Sequence, residues 1–144
     1  GVIAAGGAVW TVVPQANTAV RIDPATNDKT VFRLGYPPCA YIAADERTVW
    51  STGGGCADVV GRFDVRTHRL TKLVEPHPIG LKIAFGHAWV VSLAAANVDQ
   101  IDQLTNQVVA RLPIGGHPIH LAVGFGSLWV LDGDGRILRV QPAR

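Results

Sequence analysis

The sequence predicts an all-β chain in which one unit of four short antiparallel strands recurs along the whole length. The first observation is the spacing of the tryptophans Trp10, Trp50, Trp89 and Trp129, which lie 40, 39 and 40 residues apart. The second is that β-rich runs alternate with turn residues, while no segment sustains the 3.6-residue period of a helix. A four-stranded meander repeated at this period is the unit of a β-propeller, in which each unit forms one blade.

The third repeat shows the four strands most clearly. We assign strands A, B, C and D to residues 80–85, 88–93, 98–102 and 107–113. The tryptophan of every repeat lies on strand B. Because one such residue recurs in each unit, we interpret it as a blade-to-blade packing residue.

The array contains about 3.75 blades, at residues 1–36, 37–76, 77–116 and 117–144. The last blade has strands at 121–124, 128–131 and 136–141 and lacks its outer strand. An open array of this kind would expose large apolar faces on its outermost blades. We therefore expect the native assembly to contain more blades than the chain encodes, supplied by a homo-oligomer or by the remainder of a longer chain.

A short element, Asp-x-x-Thr, follows the tryptophan in three repeats, beginning at Asp23, Asp64 and Asp102. An aspartate at the first position of a four-residue turn accepts hydrogen bonds from backbone N–H groups two residues further on. The element therefore predicts a locally specified hairpin between strands C and D, and it gives these carboxylates no catalytic role.

Composition excludes several classes of protein. The chain is 48% hydrophobic and 17% charged, which predicts a folded core. Lys and Arg number 13 against 11 Asp and Glu, a net charge of +2 without any block of like charge, so we expect no nucleic acid partner. The longest stretch without a formal charge, 112–131, is interrupted by prolines and glycines, so we expect no membrane span.

The two cysteines, Cys39 and Cys56, flank strands A and B of the second repeat. Antiparallel pairing of these strands brings both cysteines to one end of the blade, so a disulfide is geometrically plausible and is the pairing we predict. A pair of free thiols is the alternative. The disulfide would place the protein in an oxidising compartment, outside the cytoplasm.

Unusual polar side chains collect at one end of the predicted blades. The loops before strand A and the loops between strands B and C meet at this end, which we call the loop face. We predict a site there for a small molecule or a protein, because propeller-type scaffolds carry ligands on loops at one face. Its candidate residues are Tyr36, His77, His117, His120, Asp132 and Asp134.

The histidines of the loop face allow two interpretations. Three imidazoles near one face could bind a metal or shuttle protons. Alternatively, His77 and His117 each precede a proline, and His-Pro is simply an acceptable loop dipeptide. Asp132 and Asp134 sit in a glycine-rich run that resembles the opening of a calcium loop but lacks the acidic ligand at the twelfth position. We assign no metal ligands and no cofactor from these residues.

Two segments carry a family resemblance: Arg21-Ile22-Asp23-Pro24-Ala25-Thr26-Asn27, and the run from Gly115 through His117-Pro118-Ile119-His120 to Trp129-Val130. They resemble the YVTN repeats of bacterial propellers, the superfamily that includes the streptogramin lyases. The resemblance covers essentially the whole chain and implies a disc of six to eight blades. For the lyases it implies catalytic His and Glu residues on loops of this kind, with a magnesium ion assisting.

Three functions follow as hypotheses. The first is a non-enzymatic binding, sensor or scaffold module, extracytoplasmic or secreted by a bacterium. The second is a magnesium-assisted carbon–oxygen lyase, with His117 or His120 as the general base; neither Glu46 nor Glu75 falls in a recognisable lyase motif. The third is a purely structural, self-assembling repeat array.

Overall fold

The computed structural model describes residues 1–39 and 41–142. Ala40, in the second predicted repeat, and Ala143 and Arg144, at the end of the fourth, therefore lie outside the described residues. The described chain is all-β, with fifteen strands and two one-turn 3₁₀ segments. None of its helical segments is long and apolar enough to cross a membrane.

The strands form four separate antiparallel sheets whose order follows the chain, so each sheet is one blade. Blade 1 contains β1 (Val2–Ala5), β2 (Ala8–Val13), β3 (Thr18–Ile22) and β4 (Lys29–Arg33). Blade 2 contains β5 (Ile42–Ala44), β6 (Thr48–Thr52), β7 (Val59–Asp64) and β8 (Leu70–Val74). Blade 3 contains β9 (Pro78–Ala84), β10 (His87–Ser92), β11 (Asn97–Asp102) and β12 (Val108–Pro113), and blade 4 contains β13 (Pro118–Gly124), β14 (Ser127–Asp132) and β15 (Ile137–Val140). The predicted propeller of partial extent is confirmed.

Two strands begin earlier than the sequence predicts. The first strands of blades 3 and 4 start at Pro78 and Pro118 rather than at residues 80 and 121. In blade 4 the pairing with β14 shifts register between Pro118 and His120, which is how a strand accepts a proline that cannot donate to the ladder. His120 therefore lies inside β13, on a regular element.

The tryptophans of the first three blades each fill the interface with the following blade. Trp10 packs with Val49 and Phe63 of blade 2. Trp50 packs with residues of blade 3 that include Leu81, and Trp89 packs in the cluster shared with blade 4. Each indole is at most 1% exposed. The predicted blade-to-blade role is confirmed at these three positions, and loss of such a ring typically costs about 3–5 kcal/mol.

The Asp-x-x-Thr turns form as predicted. Oδ1 of Asp64 accepts the N–H groups of Arg66 and Thr67 at 3.0 and 2.8 Å. Oδ1 of Asp102 accepts those of Leu104 and Thr105, both at 2.8 Å. These N–H donors favour the charged carboxylate and hold the pKa of Asp64 and Asp102 below the usual value. The carboxylates are therefore turn formers at the end of the blades opposite the loop face.

Candidate functional site

The same backbone hydrogen bond recurs at the loop face of blades 3 and 4. The N–H of Leu93 donates to the carbonyl of His77 at 3.1 Å, and the N–H of Gly133 donates to the carbonyl of His117 at 2.7 Å. Each bond ties the loop after strand B to the histidine that precedes the proline. The backbone of each His-Pro pair is thus structural, and only the imidazoles are left for recognition.

His117 forms an exposed pair with Asp134. Its Nδ1 lies 3.8 Å from Oδ2 of Asp134, and the two side chains are 73% and 64% exposed. The pair is ionic only when the imidazole is protonated. Because both side chains are mostly exposed, they remain accessible to a ligand.

Asp132 lies beneath this pair and anchors the loop. It is 1% exposed, accepts the N–H of Asp134 at 2.7 Å and pairs with the guanidinium of Arg136. The Asp134 N–H and then the Arg136 guanidinium hold the pKa of Asp132 below its usual value. Gly116, at φ +61°, leaves space for this contact, since a Cβ there would lie 2.3 Å from Oδ2 of Asp132. Asp132 therefore fixes the conformation of the loop that carries Asp134.

His120 meets a tyrosine from a blade that is not its neighbour. The hydroxyl of Tyr41, just before β5 of blade 2, lies 2.7 Å from Nδ1 of His120 in β13 of blade 4. The two rings meet edge to face, with centroids 5.5 Å apart. Tyr41 is itself fixed, because its N–H donates to Oγ1 of Thr52 and its carbonyl accepts the N–H of Thr52, both at 3.0 Å. Partial burial raises the pKa of the Tyr41 hydroxyl.

Tyr36 belongs to the interior rather than to the exposed part of the loop face. It is 5% exposed and packs in the cluster between blades 1 and 2. Its hydroxyl contacts Oγ of Ser51 and donates to the Ser51 carbonyl at 3.3 Å. Gly61 makes room for the ring, because a Cβ at Gly61 would lie 2.1 Å from the hydroxyl oxygen. Burial raises the pKa of Tyr36 to about 12, so the hydroxyl stays neutral.

His77 and the cysteines form a second part of the loop face, on blade 2 and its junction with blade 3. The sulfurs of Cys39 and Cys56 are bonded, with Cα atoms 6.0 Å apart. His77 donates its N–H to Oδ1 of Asp58 at 2.9 Å and has φ +46°. Its ring lies beside Gly55. The disulfide and Asp58 thus hold the loop on which His77 approaches the cysteine segment.

The three imidazoles do not converge on one point: His77 lies beside Gly55, His117 beside Asp134 and His120 beside Tyr41. Among residues 1–39 and 41–142, no group of three or more His, Cys, Asp or Glu side chains is placed to hold a metal ion. The residues of the loop face therefore do not fit the magnesium site that the lyase alternative requires, and we derive no step through a metal.

Glu75 lies two residues before His77 and is buried between blades 2 and 3; its N–H donates to the carbonyl of Asp58 at 3.1 Å. It is 2% exposed and faces Asp99, which is fully buried, and Ser92. Burial, and then the negative charge of Asp99, raise the pKa of Glu75 to about 7. The guanidinium of Arg111 contacts Asp99 at 3.2 Å and compensates part of the charge. This buried acid pair was not predicted, because Glu75 follows β8 of blade 2 and Asp99 lies in β11 of blade 3, so the two residues meet only through tertiary packing.

A second concave region, also not predicted, lies at the end opposite the loop face. It is a cleft of about 990 Å³ between turns of blades 2 and 3. Arg47, Arg62 and Arg66 line it together with acidic residues, of which Asp45 and Asp64 already accept backbone N–H groups of their own turns. The only sequence signal for it is the concentration of charged residues at these turns.

Known proteins match the chain in structure but not in sequence: no protein-family model matches it, and no curated protein does. A streptogramin B lyase structure matches over 100% of this chain and 54% of its own, with TM-score 0.74 and 16% identity. BamB from Moraxella catarrhalis matches over 97% and 42%, with TM-score 0.78 and 15% identity. The computationally designed protein Ika4 matches over 95% and 86%, with TM-score 0.76 and 13% identity.

The chain spans about half the length of the first two of these structures. At such identities the likeness shows the fold alone. The four sheets, the tryptophan packing between them and the match along the whole chain give this protein a β-propeller fold like that of streptogramin B lyase.

Proposed function

We propose that the chain is a non-enzymatic, extracytoplasmic β-propeller module that binds a carboxylate-bearing ligand, free or on a protein, at the loop face. The observation that carries the proposal is the contact between Tyr41 and His120, which places a hydroxyl and an imidazole from two blades at one accessible point. Binding sites typically hold a few converging polar groups on a preformed scaffold.

The chemistry of these side chains favours a ligand that accepts hydrogen bonds. A tyrosine hydroxyl and a protonated imidazole both donate hydrogen bonds, and donors to a charged acceptor make the stronger bonds. His117 lies on the same blade as His120 but beside the carboxylate of Asp134, so the proposed contact is with Tyr41 and His120. A carboxylate is the acceptor that uses such donors best.

The disulfide supports the extracytoplasmic part of the proposal. Disulfides persist in oxidising compartments and are rare in the reducing cytosol. Cys39 and Cys56 are bonded to each other, and the described part of the chain contains no free cysteine.

The positions of the two glutamates support a non-enzymatic role. Acid–base catalysis needs a partner within hydrogen-bond reach of the reacting group. Glu75 is buried against Asp99 and Ser92, and Glu46 lies in the β5–β6 turn beside Gly6, at the other end of the blade. Neither glutamate therefore partners His117 or His120, and the carboxylate nearest to His117 is that of Asp134, at 3.8 Å.

Nuclear magnetic resonance of the histidine side chains tests the proposal, with citrate as the probe. His68 and His87 lie at the turns opposite the loop face and serve as internal references. We expect saturable shifts at His120 that are weaker in the Tyr41→Phe variant, which lacks the hydroxyl donor. Shifts confined to His87, which is next to the arginine-lined cleft, would contradict a loop-face site.

A second arm tests the absence of catalysis. The chain is incubated at stoichiometric concentration with a streptogramin B antibiotic, with and without magnesium, and the antibiotic is followed by chromatography. We expect it to remain intact. Its conversion, abolished by His117→Ala or His120→Ala, would overturn the non-enzymatic proposal in favour of the lyase.

A further inference from the structure

The cleft at the turns of blades 2 and 3 takes no part in the function proposed for the loop face. Its volume is about 990 Å³, the size of sites that hold small organic molecules. Blade 2 packs between blades 1 and 3, and blade 3 packs between blades 2 and 4. The cleft is therefore built entirely from internal blades, by the turns at 45–48 and 64–66 of blade 2 and at 86 and 103–104 of blade 3.

The wall from blade 2 contains a buried cation that lacks hydrogen bonds. The side chain of Arg62 is only 15% exposed, and its one carboxylate contact in the described residues is with Oδ2 of Asp64, at 3.9 Å. Its Nε is buried and has no hydrogen-bond partner in the described part of the chain. A buried charge without hydrogen bonds is costly, so an anion that entered the cleft would stabilise this guanidinium.

The carboxylates of the cleft are occupied by their own turns. Oδ1 of Asp45 accepts the N–H groups of Arg47 and Thr48, both at 2.8 Å, and the Thr48 hydroxyl at 3.0 Å. Oδ1 of Asp64 accepts two N–H groups of the β7–β8 turn. The third carboxylate, that of Glu46, is on an exposed residue at the tip of the β5–β6 turn. The hydrogen-bond donors of the cleft therefore outnumber its free acceptors.

Two more arginines line the cleft. Arg47 and Arg66 are exposed residues on the turns of blade 2. Within residues 1–39 and 41–142, neither side chain forms an ion pair. Together with Arg62 they bring three guanidinium groups to one cleft. Guanidinium groups bind carboxylates through paired hydrogen bonds, so this wall suits a carboxylate ligand.

The wall from blade 3 is uncharged. It consists of Gly86, Gln103 and Leu104. The side-chain oxygen of Gln103 accepts the hydroxyl of Thr48 at 3.3 Å, whereas the Leu104 side chain is 83% exposed. Phe85, next to Gly86, is a further exposed apolar residue at this rim. Covering such apolar surface is favourable, so this wall suits the apolar part of a ligand.

We propose that the cleft binds a small organic anion in which one carboxylate is joined to an apolar body, as in a medium-chain fatty acid. The carboxylate pairs with Arg62 and Arg66, and the apolar body lies against Leu104. The site does not depend on the ligand proposed for the loop face, because the cleft lies at the opposite end of the blades.

Octanoate below its micellar concentration is the probe that tests the proposal. Binding is measured by calorimetry and by the backbone amide shifts of Gly86 and Leu104. We expect saturable binding of octanoate. Acetate, which has the charge without the apolar body, and octanol, which has the apolar body without the charge, should each bind at least about ten-fold more weakly.

Variants of both walls assign the site. Arg62→Gln and Arg66→Ala should each weaken octanoate binding about ten-fold, the effect of losing one charged hydrogen-bond donor. Leu104→Ser should weaken the binding of octanoate but not that of acetate. Arg66 and Leu104 are exposed residues, so their variants should keep the wild-type circular dichroism spectrum even if Arg62→Gln unfolds.

Two variants away from the cleft are the controls. Arg33→Ala removes an exposed arginine at the end of β4 in blade 1, and His120→Ala alters the loop face. Both should bind octanoate as the wild type does. A wild-type chain without saturable octanoate binding overturns the proposal. So does octanol that binds as tightly as octanoate, or octanoate binding that Arg66→Ala and Leu104→Ser leave unchanged.

Discussion

The Tyr41 hydroxyl lies 2.7 Å from Nδ1 of His120, 79 residues further along the chain. Blade 3 separates the blades that carry these two residues, so the bond closes over it near the propeller axis, where β5, β9 and β13 pack in sequence. The bond therefore serves the fold and the proposed site together. It holds the imidazole of His120 against Tyr41 across blade 3.

Removing this bond should cost little stability but should be measurable by a double-mutant cycle. Tyr41→Phe is expected to lower the free energy of unfolding by about 0.5–1.5 kcal/mol, the usual contribution of one hydrogen bond. In a His120→Ala background the same change should cost clearly less, because the partner is already gone. Urea denaturation of the four proteins measures the coupling. Strictly additive losses would show that the two side chains do not interact.

The buried acid pair predicts a stability that falls as pH rises. The pKa of Glu75 is about 7 in the fold and near 4.5 when unfolded, so the native state holds the extra proton between these values. The stabilisation is complete below about pH 4.5 and is lost as the pH rises through 7, a change of up to about 3 kcal/mol. Urea unfolding at about pH 5 and about pH 8 measures it.

Glu75→Gln is the decisive comparison for that prediction. Glutamine stays neutral beside Asp99, Ser92 and Arg111, so the variant should lose less stability than the wild type over this range. Glu46→Gln, on an exposed turn, should keep the wild-type profile. Identical pH profiles for wild type and Glu75→Gln would rule out Glu75 as the titrating group.

The Asp-x-x-Thr turns should matter to stability without affecting the loop face. Asp102→Ala leaves the N–H groups of Leu104 and Thr105 without their acceptor and should lower the free energy of unfolding. Asp102→Asn keeps an acceptor and should recover much of the loss. In the wild type, the stabilisation by the Asp102 carboxylate should be lost as the pH falls below about 3.8, because the pKa of Asp102 is lower in the folded state than in the unfolded state. An Asn variant as unstable as the Ala variant would contradict this role.

The disulfide should stabilise the fold measurably. Cys39 and Cys56 are separated by 17 residues, and a loop of this length corresponds to about 3 kcal/mol in the chain-entropy model. Thermal unfolding with and without reductant should therefore differ for the wild type. The double variant Cys39→Ser, Cys56→Ser should unfold at the same temperature as the reduced wild type, and reductant should not change that temperature. Native protein that yields two alkylatable thiols would contradict the bond and the compartment it implies.

Local and repeated signals explain what could be predicted from the sequence. The spacing of Trp10, Trp50 and Trp89 was enough to place strand B and the blade interfaces, because each of these repeats buries its tryptophan against the next blade. The Asp-x-x-Thr turns were predictable because their hydrogen bonds form within three residues.

Contacts made once, between distant segments, could not be predicted. Tyr41 carries no repeat signal, and only the curvature of the array brings it to His120. Tyr36 was expected on the loop face because it precedes a strand A, yet the space left by Gly61 lets the ring turn inward. Glu75 ends an ordinary strand D in the sequence, and its partner Asp99 becomes apparent only when blades 2 and 3 pack.

Amide hydrogen exchange, read strand by strand, tests the blade-by-blade account most directly. Exchange slows where a strand is packed on both faces. We predict that β6, β7, β10 and β11 are protected in the wild type, and that Trp50→Ala lowers protection in blades 2 and 3 together, because Trp50 packs between them. Loss of protection confined to blade 2 would contradict the account.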